Sequence, residues 1–153
     1  TGLAVVEARG SSLSLVAMCT ARVSQSRLRS ECLGTLHQSV CSLIRETAPT
    51  AAAIEACFHS KNARTAELLG EARGTAIAVC AAKELDVYEY APRRVKQAVV
   101  GYGTADKIQV RKMVMTLLGL ADEPQADAGD ALAIAICHIH SRSRHAELAP
   151  DPI

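Results

Sequence analysis

The chain has 153 residues, of which 49% are apolar, and a formal net charge of +1 at pH 7. This length fits one ordinary domain with a single core, and the apolar content excludes a disordered chain. Because the net charge is close to zero, any attraction to an acidic partner must come from local clusters of basic residues.

The sequence also excludes zinc-finger proteins and proteins with a membrane-spanning helix. The six cysteines include no C-x-x-C pair and no spacing typical of a zinc finger, so we interpret them as reduced thiols. No stretch is long enough or apolar enough to span a bilayer. The composition therefore predicts a globular cytosolic protein.

The first predicted element is an antiparallel hairpin. Two β-prone runs, residues 2–6 and 13–20, flank a turn with the sequence RGSS at residues 9–12. After it, helices and strands alternate. Helices are predicted at residues 24–47, 62–84, 92–101, from 104 onward and at 126–141, and strands at 51–58 and 87–90. The pattern predicts one α/β domain with a mixed sheet over residues 1–145, followed by a flexible tail at 146–153.

Three acidic residues stand out against apolar surroundings. Glu55 lies within a predicted strand that is otherwise apolar, where a carboxylate must bind a cation, form an ion pair or face solvent at a sheet edge. Asp127 and Asp130 lie three residues apart at the start of the last helix, hence on one face of it. Helix capping is the alternative explanation for the two aspartates. If all three converge, their oxygens suit divalent cations.

Basic residues dominate the segment between residues 93 and 112. Arg93 and Lys96 are three residues apart on one helix, and Lys107 and Arg111 are four apart on the next, so each pair forms a basic stripe. The full basic set is Arg93, Arg94, Lys96, Lys107, Arg111 and Lys112, against the single acid Asp106. We interpret the stripes as an anion-binding surface; the alternative is two solvated helix faces. Carboxylates beside basic stripes fit phosphodiester chemistry.

A pair of histidines and a pair of glycines also lie on predicted helices. His138 and His140 are two apart on a helix and point to different faces, so we expect surface histidines, whose cationic form would suit the helix end, rather than a metal pair. Gly70 and Gly74 are four apart within a helix, where bare backbone permits close approach of another element. That element is either a second copy of the chain in a symmetric homodimer or the chain's own sheet.

Three sequence blocks together resemble the RuvC family of Holliday junction resolvases. The first comprises Ile54-Glu55, Phe58, Lys61-Asn62, Leu69-Gly70 and Ala72-Arg73-Gly74. The second is YAPRRVKQAVVG at residues 90–101, followed by Lys107 and Val110, and the third is QADAGDALAIA at residues 125–135. They occur in the family's order and spacing, and the resemblance runs from residue 1 to about residue 144.

The resemblance implies a fold, an activity and a set of partners. The fold is ribonuclease H-like, a mixed five-stranded sheet flanked by helices, and the activity is metal-dependent endonucleolytic cutting of four-way junction DNA in recombination and repair. The chain would act as a homodimer in the bacterial cytoplasm, together with the RuvA and RuvB branch-migration complex. Two Mg²⁺ ions, or Mn²⁺, would serve each active site.

The same resemblance assigns roles to individual residues. Glu55, Asp127 and Asp130 match three of the family's four catalytic acids, which bind the metal ions. Lys96 and Lys107 match residues that contact the DNA backbone near the cut. Phe58 matches an aromatic residue near the branch point, where it could stack on an unpaired base; a core aromatic is the alternative. We add Arg93 and Arg111 to the DNA-binding set because they lie on the basic stripes.

One part of the family pattern has no counterpart in the sequence. The family's first strand carries its first catalytic aspartate in an Asp-Pro-Gly turn, shortly before a Thr-Gly pair, and this chain begins with Thr1-Gly2. We therefore expect the 153-residue chain to be less stable than a longer form and not to cut junctions with Mg²⁺. A catalytically inactive junction-binding protein is the alternative function. A sugar-kinase-like ATPase would need glycine-rich phosphate loops, which the sequence lacks.

Overall fold

The computed structural model describes residues 1–22, 26–56, 62–144 and 150–153. Its four strands are β1 (Gly2–Arg9), β2 (Ser12–Thr20), β3 (Ala52–Glu55) and β4 (Val87–Tyr90). Its five helices are α1 (Arg29–Thr47), α2 (Ala63–Ala82), α3 (Pro92–Val100), α4 (Lys107–Leu118) and α5 (Ala126–Arg144). The predicted hairpin followed by alternating helices and strands is thus confirmed.

The hairpin is longer than the sequence predicts. β1 and β2 pair in antiparallel register from Gly2 opposite Thr20 to Arg9 opposite Ser12, with an irregularity between Val5 and Val6. Gly10 has φ +61°, a conformation that glycine adopts at no steric cost. The turn is therefore only two residues long, which lets the strands pair to their ends.

The described residues form the four strands that the sequence predicts, but these strands do not join into one continuous sheet. β3 and β4 pair in parallel, with Ala52 opposite Val87 and Glu55 opposite Tyr90, while β1 and β2 form a separate two-stranded sheet. Helix α5 contacts both sheets. At its start the backbones are so close that a Cβ on Gly2 would overlap the Asp127 carbonyl and lie 2.6 Å from the Ala128 nitrogen. Packing against α5, rather than ladder hydrogen bonds, therefore joins the two strand pairs.

Local signals fix the helix ends near the functional segments. Pro92 stands at the first position of α3, and Gly101, with φ +100°, ends it as predicted. Helix α4 starts at Lys107 and not at Thr104, because Asp106 caps it. The Asp106 carboxylate accepts from the Gln109 backbone N–H at 2.8 Å, and the Gln109 side chain accepts from the Asp106 N–H at 2.9 Å.

The other predicted boundaries differ in length. Helix α1 begins at Arg29 within the described residues, whereas residues 24 and 25 of the predicted helix lie outside them. Strand β3 ends at Glu55, and the remainder of the predicted strand includes residues 57 and 58, which also lie outside the described part. Helix α5 continues to Arg144, beyond the predicted end.

Two clusters of buried side chains form the core. The larger joins α3, α4 and α5 to β4, and its members are Tyr88, Tyr90, Val95, Val99, Ala105, Val110, Val114, Leu132, Ala133, Ile136 and Cys137. The smaller packs α1, α2 and β4 around Ala21, Leu36, Val40, Val79, Cys80 and Val87. No helix in the described part of the chain combines the length and the apolar character needed to cross a membrane.

Candidate cation and nucleic-acid site

Glu55 is the last residue of β3, at the end where the parallel strand pair faces the start of α5. Its side chain reaches solvent, yet partial burial raises its pKa, and the nearby Asp130 carboxylate raises it further. The Lys107 ammonium group acts in the opposite direction and lowers the pKa. These three side chains are therefore electrostatic neighbours although they come from a strand and two different helices.

The two aspartates of α5 have different surroundings. Asp130 faces Glu55, whereas the Asp127 carboxylate lies 3.0 Å from the amine nitrogen of Thr1. Asp127 stands in the first turn of α5. Helix geometry places both near its entrance, where the positive end of the helix dipole favours negative charge.

The carboxylate oxygens of Glu55 and Asp130 have the chemistry of cation ligands. Glu55 and Asp130 are two hard oxygen donors whose mutual repulsion would be relieved by a bound cation. Mg²⁺ usually binds through one or two carboxylates plus substrate phosphates, which this pair fits. Among the residues that the structure describes, no three acidic, histidine or cysteine side chains gather into a complete cation site. The structure thus brings two of the three expected acids together, with Asp127 on the same helix beside them.

Lys107 and Lys96 lie on consecutive helices. Lys107 is exposed and occupies the first position of α4, where the helix dipole disfavours a cation, so helix stability does not account for it. The acid next to it, Asp106, is used as the helix cap. Lys96 is half-buried in α3, which packs against α4. Of these two lysines, Lys107 is the one that adjoins the Glu55–Asp130 pair.

The arginines of the basic segment are less uniform than the sequence suggests. Arg93 is exposed, and its side chain crosses the loop after α3, where a Cβ on Gly103 would lie 3.1 Å from the Arg93 Nε atom. Arg111 forms an ion pair with Glu123, a residue beyond the end of α4. The stripe through Lys107 and Arg111 is thus partly neutralised by an acid that lies outside the segment.

The remaining predicted site residues fall in two places. Phe58 lies outside the described residues. Gly70 and Gly74 lie on α2, and a Cβ added at either would meet no described atom within 4 Å. Their close packing against the chain's own sheet, which was the alternative to a homodimer, is therefore wrong for the described part. Next to them Leu69 is 56% exposed.

The prediction that His138 and His140 are surface residues is wrong, because both are half-buried. His138 is half-buried between two tyrosines of β4: its Nδ1 lies 2.9 Å from the Tyr90 hydroxyl, and its ring centroid lies 4.6 Å from that of Tyr88. Burial, followed by the nearby Arg142, lowers the pKa of His138, so its neutral form is favoured. His140 Nδ1 lies 2.9 Å from the Ala98 carbonyl oxygen, near the end of α3, to which it donates.

These contacts could have been anticipated from two signals in the sequence. Tyr88 and Tyr90 alternate along a strand, hence share one face. Helix α5 is apolar all round before its histidines, so polar side chains within it need partners inside the fold. Which partners they find depends on tertiary packing, which no spacing rule supplies.

Comparisons with known proteins agree on one family. A family model described as crossover junction endodeoxyribonuclease RuvC matches residues 1–138. The RuvC protein of Caldicellulosiruptor saccharolyticus is 44% identical over 145 residues, which are 94% of this chain and 87% of that protein. The RuvC protein of Burkholderia vietnamiensis is 47% identical over 141 residues, or 92% of this chain and 78% of that protein.

Solved structures agree with the sequence matches. The Thermus thermophilus RuvC described as being in complex with Holliday junction substrate superposes with a TM-score of 0.92 at 31% identity, covering 99% of this chain and 92% of that one. A second Thermus thermophilus RuvC structure gives a TM-score of 0.85 at 30% identity, with coverages of 99% and 91%. The chain therefore belongs to the RuvC family of crossover junction endodeoxyribonucleases and has their ribonuclease H-like fold.

Proposed function

We propose that this protein is a metal-dependent endonuclease that resolves four-way DNA junctions by paired nicks. The observation that carries the proposal is the Glu55–Asp130 carboxylate pair beside Lys107, at the end of a parallel strand pair. The relative described with a Holliday junction substrate, which superposes over nearly the whole chain, supports the choice of substrate. An inactive junction-binding protein has less support, because it would not need two carboxylates held against their own repulsion.

Glu55, Asp130 and Asp127 would hold the divalent cations, Mg²⁺ or, in its place, Mn²⁺. Bound there, such ions would supply activation of a water molecule for in-line attack and charge stabilisation of the leaving oxygen. Within this chain, β3 fixes Glu55, and one turn of α5 fixes both aspartates. Lys107 offsets part of the negative charge on Glu55 and can hold a phosphate next to the cut, because its ammonium group is exposed.

The DNA-binding surface would extend from Lys107 across Lys96 and Arg93. Lys107 and Arg93 are exposed. Helix α3, which carries Arg93, ends at the loop after which α4, which carries Lys107, begins. Arg111 belongs to this surface only if its ion pair with Glu123 opens or is shared with a phosphate. Phe58 remains a proposed stacking residue at the branch point.

Changing Lys96 and Lys107 together to alanine is expected to weaken junction binding and reduce the slope of log affinity against log salt concentration by about two. Each lysine that holds a phosphate contributes to that slope through counterion release. The measurement is a salt titration of binding to a fluorescent four-way junction. Lys83→Ala combined with Arg45→Ala removes the same charge elsewhere, on exposed residues, and should change the slope far less. An unchanged slope in the lysine variant would show that these side chains are only solvated.

A second copy of the chain is the proposed partner for the exposed face of α2. Residues 62–70 are exposed throughout, Leu68 and Leu69 are 45% and 56% exposed, and Gly70 and Gly74 leave open backbone beside them. An apolar, glycine-containing helix face of this kind suits close packing against its own symmetry mate.

We also propose, on family grounds, a cytoplasmic location and cooperation with the RuvA and RuvB proteins.

The function is tested by cutting of a mobile four-way junction and of a linear duplex with the same sequence. The protein used is the chain joined at Thr1 to a family-type first strand ending in Asp-Pro-Gly. The fourth acid of the family pattern is then present, and its absence cannot be the reason for a failure to cut. With Mg²⁺ we expect two symmetrically placed nicks in the junction and none in the duplex. Leu69→Glu, on the proposed dimer face, should uncouple the two nicks. Junction binding with no cutting would instead support the inactive alternative.

A further inference from the structure

Tyr90 is tied to Glu55 through the backbone. The two residues are register partners in the parallel pair of β3 and β4, and the Ala56 N–H donates to the Tyr90 carbonyl oxygen at 2.9 Å. The Tyr90 side chain is 2% exposed and points into the larger core cluster. Any movement of Tyr90 relative to α5 therefore also moves Glu55.

His138 ties the same strand to α5. It lies two helical turns after Asp130, and its Nδ1 is 2.9 Å from the Tyr90 hydroxyl. Its ring packs at 4.6 Å from the Tyr88 ring and meets the Tyr90 ring edge-on at 5.9 Å. The imidazole is thus in contact with two tyrosines of β4.

The direction of this hydrogen bond follows from the protonation states. Burial raises the pKa of the Tyr90 phenol, so it keeps its proton. Burial and Arg142 lower the pKa of His138, so the imidazole is neutral near pH 7. The Tyr90 hydroxyl therefore donates to an unprotonated Nδ1.

We propose that the Tyr90–His138 hydrogen bond positions the cation site by setting the separation between Glu55 on β3 and Asp130 on α5. Tyr90 and His138 are positioning residues, since neither is placed against the reacting phosphate. The inference rests on the proposed role of Glu55 and Asp130 as cation ligands. It assigns to the core of α5 a task beyond stability, namely to fix where Asp130 stands relative to Glu55.

A second hydrogen bond between β4 and α5 provides a matched control. Arg142 donates from its guanidinium to the Tyr88 hydroxyl at 2.9 Å. Tyr88 is buried on the same strand and the same face as Tyr90, but its register partner is Ala53 rather than Glu55. Tyr88→Phe therefore removes an equivalent hydroxyl that is farther along the strand from the carboxylates.

The test measures Mn²⁺ binding to the 153-residue chain without DNA, by electron paramagnetic resonance of free Mn²⁺, at a temperature at which circular dichroism shows every variant folded. Tyr90→Phe and His138→Leu are expected to raise the Mn²⁺ Kd by about 10- to 100-fold, the range for residues that orient metal ligands. His138→Asn should recover most of the affinity, because its Oδ1 can accept from the phenol in place of Nδ1. Tyr88→Phe should leave the Kd close to that of the unchanged chain.

Any of three results would overturn the positioning role while leaving the cation site intact. The first is an unchanged Mn²⁺ Kd in Tyr90→Phe. The second is equal weakening by Tyr88→Phe, and the third is no recovery in His138→Asn; each of these two would indicate general loosening of the core. Asp130→Asn, measured alongside, separates this from failure of the proposed function. If that variant binds Mn²⁺ as well as the unchanged chain does, the cation site itself is wrong and the positioning role falls with it.

Discussion

Replacing Asp130 with asparagine is expected to reduce Mg²⁺-dependent junction cutting by at least about a hundredfold, because even groups that only orient metal ligands cost 10- to 100-fold when removed. Asparagine keeps the size of the side chain but loses the charge that faces Glu55 across the site. Junction binding should be largely retained, because the lysines and arginines that attract phosphates are unchanged. The variant therefore separates chemistry from recognition.

The measurement compares cutting rates of an end-labelled junction in Mg²⁺ with binding affinities in Ca²⁺, using the chain that carries the added first strand. Asp122→Asn makes the same chemical change at an exposed position in the connection before α5 and serves as the control. Cutting by Asp130→Asn at close to the control's rate would contradict the assignment. A parallel loss of binding and cutting would show that Asp130 supports the fold instead.

Replacing Leu132 with alanine is expected to lower the free energy of unfolding by about 2–5 kcal/mol. Leu132 is fully buried at 0% exposure in α5, in the core cluster that also contains Val114 and Ile136. Truncation there removes apolar contacts and leaves a cavity that the surrounding helices close only in part. Since Leu132 lies two residues after Asp130, the loss would also loosen the segment that carries the carboxylates.

Urea unfolding followed by circular dichroism measures this change. Ile108→Ala is the control, because Ile108 is an aliphatic residue in helix α4 that is 64% exposed, and its truncation should change stability by no more than about 0.5 kcal/mol. Equal effects of the two substitutions would mean that α5 is not the centre of the core.

The elements with strong local signals were predictable from the sequence. Strand β4 and helix α3 match their predictions. Pro92 marks the start of α3 and Gly101 its end, and both signals act within a few residues of the boundary that they set. The hairpin was also predictable, from its turn, although not its full length. Glu55, Asp127 and Asp130 could be selected because carboxylates are rare in apolar surroundings and because three sequence blocks match one family.

The features that depend on distant contacts were not predictable from spacing. Glu123 reaches Arg111 from beyond the end of α4, so the stripe loses part of its charge. His138 contacts Tyr90 across 48 positions of sequence, so a histidine predicted at the surface is half-buried. The separation of the strands into two pairs is likewise a property of the tertiary structure. Periodicity describes one element at a time and does not determine how elements meet.

The cation site itself is tested most directly by mapping where a bound metal ion lies. Fe²⁺ replaces Mg²⁺ in the chain that carries the added first strand, and ascorbate with hydrogen peroxide then generates hydroxyl radicals that cut the polypeptide next to the ion. We expect backbone cuts around residues 54–56 and 127–131, which an excess of Mg²⁺ suppresses and Asp130→Asn weakens. Cuts confined to other parts of the chain, or cuts at these positions that persist unchanged in Asp130→Asn, would contradict the assignment of Glu55 and Asp130 as the residues that hold the ion.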